Sequence, residues 1–414
     1  MSRNQFCATA FGRGTALVLC LFAAPSFADT VTDWNETAIA TIAAEKTNPP
    51  LASRNMALVQ AAVFEAVNSI TGSYTPYEQQ PSPRGASPEA AAMTAAYRVL
   101  LALYPDRHTE LDTAYAQALQ KVSSGTSKSD GITVGETAAA ALLQRRSTDG
   151  AETITVYDAP SGPGVWEPSA GATPLVPGWG KVAPWFLQNG SQFRPAGPPK
   201  LNSDQFSRDF KEVKQIGGKT STIRTPEQTD IARFWTSSGV VMWNPIARQL
   251  SVAKRLTLAE NAALFALLNM ATADALIACY DAKYTYKFWR PTAAIRAGAA
   301  GDSPDPDWES AVPLPPFPAY VSGHACYAGA AQAVLESVFG TGQIGPVTLT
   351  SAGAPGVVHR YSHISDIVGE ISNARVWGGI HWRTDEVEGE ALGRNVGAYA
   401  LKRFPGPITL GDAK

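Results

Sequence analysis

Cysteine is scarce in this chain of 414 residues, occurring only at positions 7, 20, 279 and 326. Four thiols cannot staple a protein of this length, so the fold has to rest on ordinary packing, with one Cys279–Cys326 bridge as the most an oxidising compartment could add. A basic excess is also missing. Over residues 29–414, 32 Lys and Arg face 36 Asp and Glu, a net charge of −4, which removes the electrostatic case for a nucleic-acid partner. Beyond residue 28 no segment reads as a membrane span, no stretch alternates apolar and polar residues as a half-buried strand would, and no short repeat recurs.

The N-terminus has a pattern of its own. Arg3 and Arg13 precede the apolar run TALVLCLFAA, and Pro25-Ser26-Phe27-Ala28 follows it before Asp29. Charge, apolar stretch and small-residue exit in that order predict a secretory signal peptide over residues 1–28, cleaved near Ala28, and a soluble protein that is secreted or periplasmic.

Helical periodicity fills most of the remainder. Met56, Val59, Val63, Val67 and Ile70 form one apolar stripe. Ser87-Pro88-Glu89 opens a helix that Pro105 closes, and helices are expected near 107–122, 133–146 and 203–216. Thr225-Pro226-Glu227-Gln228 and Thr257-Leu258-Ala259-Glu260 read as capping boxes, the second opening a long helix that runs until Pro291 stops it. Between about 153 and 199 the composition turns to Pro, Gly and Trp, and a segment so aromatic is expected to be an ordered loop packed across helices rather than a flexible linker. The fold class predicted is all-α: two helical bundles joined by that loop, with an N-terminal half over 29–200 and a C-terminal bundle over 201–414.

Three segments carry chemistry. Lys283 and Arg290 lie seven residues apart, which on one continuous helix puts both cations on the same face. In PPFPAYVSGHACYAGAA, prolines give way to helix-permitting residues at Ser322-Gly323-His324. A helix starting near Gly323 offers free N–H groups, the Ser322 hydroxyl and its positive dipole end to an anion, while Gly323 lets the anion approach the backbone and His324 can move a proton. In ARVWGGIHWRTD, Arg375 precedes His381 by six residues and Asp385 follows it by four. If a helix starts near that histidine, Asp385 can take the Nδ1 proton and leave Nε2 as a lone-pair donor. One Lys, two Arg, a Ser-Gly helix start and two His form the inventory for enclosing an oxyanion.

Lys283-x6-Arg290-Pro291, Ser322-Gly323-His324 and Arg375-x5-His381-x3-Asp385 together resemble the vanadium-dependent haloperoxidases and the related acid phosphatases of the type-2 phosphatidic acid phosphatase superfamily, over about a hundred residues. FPAY and GIHWR resemble the haloperoxidase branch. The resemblance implies vanadate as cofactor, with Lys283, Arg290, Ser322, Gly323 and Arg375 around its oxygens, His381 on the vanadium, and His324, Lys283, His381 and Asp385 as the catalytic set. It implies halide oxidation by hydrogen peroxide through a peroxovanadate bound at His381, with a small organic substrate downstream. Phosphate fits the same cradle. A periplasmic acid phosphatase with His381 as nucleophile is therefore the second reading, and a non-catalytic oxyanion-binding protein the third. Phe317 and Tyr280 resemble the positions that face the halide.

The chain departs from the family pattern at three places. Val321 stands where proline is frequent, which loosens the loop, and Ala374 replaces a serine. Phe234-Trp235-Thr236-Ser237-Ser238 aligns with a segment whose aspartate supports the cradle in chlorinating relatives, and has no carboxylate. His359 and His363 are spaced i, i+4 but without further ligands they read as surface or supporting residues rather than a metal site. His108 reads as a surface residue, Lys287 as a lysine on the Lys283 face that does not match the family's, and Trp377-Gly378-Gly379 as a point of close passage.

Overall fold

The computed structural model describes residues 29–76, 83–158, 161–404 and 406; the expected leader at 1–28 lies outside the described residues. Five helices come first: α1 Thr30–Ala44, α2 Pro49–Thr71, α3 Pro88–Leu103, α4 His108–Gln120 and α5 Thr126–Arg146. After the Pro/Gly/Trp-rich stretch follow α6 Asp204–Ile216, α7 Pro226–Phe234, α8 Gly239–Lys254, α9 Leu258–Tyr286, α10 Pro291–Arg296 and α11 Gly323–Phe339. A short antiparallel hairpin, β1 Val347–Thr350 and β2 Val358–Tyr361, precedes α12 Ile364–Trp377 and α13 Arg383–Arg403. The described residues are all-α apart from that hairpin, whose four-residue strands are too short to announce themselves in the sequence.

Local chemistry sets the helix starts. Ser87 caps α3 with Pro88 in its first turn, and reciprocal capping boxes at Thr225/Gln228 and Thr257/Glu260 open α7 and α9. Helix α9 is apolar on all sides and is buried along its whole apolar window. It packs on α2 of the first helices and on α11 and α13 of the last, so it is a core helix. The aromatic stretch is ordered where described. Asp274 in α9 accepts the amides of Trp185, Phe186 and Leu187 at 2.7, 2.8 and 3.0 Å, and Tyr284 donates to the Leu175 carbonyl at 2.6 Å.

The expected helix to Pro291 ends early. Lys287 takes a left-handed conformation at φ 50°, and Arg290 is extended as the cap of α10, where the ring of Pro291 disfavours helix for the residue before it. The 287–289 backbone pairs instead with the aromatic stretch, Trp166 N to Lys287 O at 2.7 Å and Trp289 N to Gly164 O at 3.1 Å. Lys283 and Arg290 therefore do not share a helical face.

Helices α11 and α13 lie close enough that a β-carbon at Gly393 would come 2.1 Å from the Cys326 carbonyl, so only glycine fits. That contact brings the N-termini of both helices to one place. Gly379, at φ +76°, passes against Gly217 where a β-carbon would sit 2.1 Å from its carbonyl, and delivers the chain to His381.

Candidate oxyanion site

Lys283 projects from the last turn of α9 and is fully buried, donating to the carbonyls of Pro318 at 2.8 Å and Ala319 at 2.9 Å. Arg290 reaches the same loop from the cap of α10. Its Nε and Nη2 donate to Phe317 O at 3.0 Å each, and its Nη1 donates to Ile380 O at 2.6 Å. Both cations lie over the Phe317 ring, at 4.8 and 5.0 Å from its centroid, and Tyr280 backs that ring at 5.5 Å. The loop expected to be loosened by Val321 is thus pinned by two cations, and Val321 itself is buried.

Ser322 caps α11, its hydroxyl accepting from Ala325 N at 3.4 Å and its own N–H donating to the Asp385 carbonyl at 3.0 Å. A methyl group at Gly323 would find only ordinary contacts, 3.9 Å from Cys279 Sγ and Leu276 Cδ2, so protein packing alone does not require glycine there. The His324 Nε2–H donates to Ser237 O at 3.0 Å, which leaves Nδ1 as the proton-accepting nitrogen. Arg375, in the last turn of α12, donates through Nη1 to Trp235 O at 2.6 Å while its buried Nε has no protein acceptor. The segment aligned around Trp235 thus serves the cradle through backbone carbonyls, with no carboxylate.

His381 precedes α13 rather than lying in it. Asp385, in the first turn, accepts from Trp382 N at 3.0 Å and from His381 Nδ1 at 2.8 Å through the same oxygen, so the pairing arises from helix-start geometry and not from a shared helical face. The tautomer follows: Nε2 carries the lone pair and takes a 3.1 Å contact from Arg290 Nη1.

Burial governs the electrostatics, opposed only in part by Asp385 and Glu386 beside Arg290 and by Glu386 beside Arg375. Burial lowers Lys283 to about 8, Arg290 to about 9 and Arg375 to about 10, and raises Asp385 to about 7. His381 and His324 are held well below the ordinary imidazole value, first by burial and then by the cations: Arg290, Lys283 and Arg375 for His381, and chiefly Arg375 for His324. Arg290 lowers Lys283, Arg375 lowers Arg290, and all three lower the two imidazoles, a balance that favours an incoming anion.

Other candidates lie elsewhere. Lys287 points away, its Nζ on the Asp158 carbonyl and 5.6 Å from the Tyr157 ring. His359 bonds Glu370 at 2.7 Å and His363 is half-exposed beside Asp366, so the i, i+4 spacing makes no metal pair. His108 is on the surface, with Nδ1 3.2 Å from Pro105 O. Cys279 and Cys326 are buried free thiols. Glu386 was not legible: fully buried, with both carboxylate oxygens lacking a well-formed hydrogen bond, it follows Asp385 in a helix start where acidic residues are ordinary.

Fold and site together define a helical protein in which three separated segments bring buried cations and imidazoles to one place. Residues 263–408 match the model of the VCPO second helical-bundle domain. The vanadium chloroperoxidase of Curvularia inaequalis is 27% identical over 390 residues, 74% of this chain and 63% of that protein, so the chain spans under two thirds of this curated relative. A solved bacterial vanadium-dependent iodoperoxidase superposes with a TM-score of 0.81 at 25% identity, covering 93% of this chain and 98% of its own. A bacterial vanadium-dependent chloroperoxidase shares the fold at TM-score 0.69 and 18% identity, over 86% of this chain and 91% of its own. Residues 263–408 are thus similar to the second helical-bundle domain of that family model, and the fold over most of the chain is similar to that of the solved bacterial vanadium-dependent iodoperoxidase.

Proposed function

We propose that the protein is a vanadate-dependent haloperoxidase that oxidises halide with hydrogen peroxide. The single observation that carries this reading is the convergence of three buried cations on His381, whose Nε2 lone pair is fixed by Asp385. The residues fit vanadate on this structure: Arg375 Nε is an orphaned buried donor, Ser322 and the first turn of α11 add neutral donors, and His381 Nε2, now 3.1 Å from Arg290 Nη1, is a lone-pair nitrogen that a metal would take in place of that contact. Lys283, Arg290, Arg375, Ser322 and the Gly323 N–H would hold its oxygens, and His381 the vanadium. Bound there, vanadate supplies a Lewis-acidic centre that activates peroxide toward a halide.

The chain's own residues do the rest. The cations stabilise negative charge at the oxygens with no reorganisation, because backbone carbonyls and burial already fix them. His324, its Nε2–H committed to Ser237 O, accepts the peroxide proton at Nδ1 and returns it to the leaving water or hydroxide. An anion in the cradle raises the imidazole from its depressed value, so proton affinity appears when the site is filled. Phe317 and Tyr280 give the halide an apolar aromatic wall beside Lys283.

Acid phosphatase chemistry, with His381 Nε2 as nucleophile, uses the same cradle. The test is paired. The full chain loaded with orthovanadate is assayed for peroxide-dependent halide oxidation, and the unloaded chain for phosphate-ester hydrolysis. Vanadate-dependent oxidation is expected; ester hydrolysis inhibited by vanadate, with no oxidation, overturns the proposal. Export directed by residues 1–28 belongs to the same proposal and is checked by whether the native protein starts at Asp29.

A further inference from the structure

Arg375 and His324 lean on one short piece of backbone. Trp235 O accepts from Arg375 at 2.6 Å, and two residues on Ser237 O accepts from His324 at 3.0 Å. What holds that piece in place is a carboxylate on α12 with no part in the cradle. Oε1 of Glu370 accepts from the Trp235 indole Nε1 at 2.8 Å, the Tyr361 hydroxyl at 2.6 Å and His359 Nδ1 at 2.7 Å. The His359 ring in turn stacks on Phe234, 4.2 Å away and 12° from parallel. Ser351, just past β1, adds a second hold, donating to Phe234 O at 2.6 Å and meeting the Ser237 hydroxyl at 3.1 Å.

We infer that Glu370 is a positioning residue, which through Trp235 sets the backbone carbonyls that aim Arg375 and His324, with the β1–β2 hairpin as its brace. The inference rests on reading the cradle as an oxyanion site. Physically, Trp235 O is the acceptor that orients Arg375, whose Nε has none, so a shift of the 234–237 segment moves the guanidinium directly. Three donors converging on one carboxylate oxygen fix that segment more tightly than packing of the indole alone, because hydrogen bonds to a charged acceptor are the strong ones.

The test uses Glu370→Gln, which keeps the shape, and Trp235→Phe, which keeps an aromatic ring while removing the indole donor and some buried volume. In the full chain each is expected to weaken orthovanadate and phosphate binding by about tenfold, a change of the size one charge-assisted hydrogen bond supports. The double variant is expected to lose little more than either single one, since both cut the same link. Side-chain nitrogen resonances of Arg375 and His324 in the oxyanion-free protein should shift in both variants. Unchanged affinity with unshifted Arg375 and His324 signals, even alongside a lowered melting temperature, overturns the inference and leaves Glu370 a fold-stabilising residue. Should the wild-type chain bind neither anion, the functional reading falls, and the side-chain signals still decide whether Glu370 positions the two residues.

Discussion

Two clusters of buried arginine in this molecule look alike in composition and differ in what completes them. Between α2 and α5, Arg54 and Arg146 share Asp149, at 2.7 and 3.0 Å, and Arg146 also donates to Ala183 O at 2.6 Å, locking the aromatic stretch onto the first helices. In the cradle, Lys283, Arg290 and Arg375 are as deeply buried, yet the hydrogen bonds they donate to oxygen end on backbone carbonyls. A neutral carbonyl orients a cation without cancelling its charge. The first cluster is scaffold, complete in itself. The second keeps its cations on neutral acceptors, with Asp385 and Glu386 buried nearby, and on the proposed reading the cofactor is the anion these donors would hold.

The largest effect that would sharpen this contrast comes from the cradle's chemistry. His381→Ala is expected to cost about three orders of magnitude or more in vanadate-dependent halide oxidation with the fold intact, measured by initial rates beside circular dichroism. Next is the scaffold: Asp149→Ala strands two buried guanidinium groups and should cost about 3–5 kcal/mol in denaturant unfolding, with phosphate affinity of the folded fraction unchanged. Arg375→Met should do the reverse, weakening phosphate or vanadate binding about a hundredfold without lowering the unfolding free energy. If Arg375→Met destabilises the fold as Asp149→Ala does, the two clusters are not different in kind.

Asp385→Asn should reduce oxyanion binding by about ten- to a hundredfold by releasing His381 Nδ1–H and its tautomer, read by calorimetry. The smallest effect is in pH. Lys283, at about 8, is a cation below that value and loses its charge above it. An anion favours the charged form, so phosphate affinity should fall as pH rises through about 8, by up to about tenfold per unit, beyond the changes that Asp385 at about 7 and phosphate's own ionisation make at lower pH. Lys283→Met should lower the affinity and remove the step near pH 8 while leaving those other changes.

Much of this was legible along the chain, and for a reason. Ser322 capping α11, Asp385 bonding His381, and the capping boxes at Thr225 and Thr257 are interactions within a few residues, where side-chain type and spacing nearly fix geometry. What was misread involved the chain beyond that range. Lys283 and Arg290 meet because α9 breaks at Lys287 and the backbone pairs with the aromatic stretch over a hundred residues earlier in the chain, which no periodicity encodes. Glu370 and Glu386 gave no signal, because acidic residues on a helix are commonplace until their surroundings are known.

The sequence by itself determined the helices, their caps, and the donor types in the three motifs, since these follow from local sterics and hydrogen bonding. Only the tertiary structure decided that Arg375 would rest on a carbonyl where Arg146 rests on a carboxylate, and that His324 and Arg375 would share the Trp235–Ser237 backbone. Whether a buried charge is already neutralised depends on which groups long-range packing brings within about 4 Å, and that distance is set by the fold as a whole.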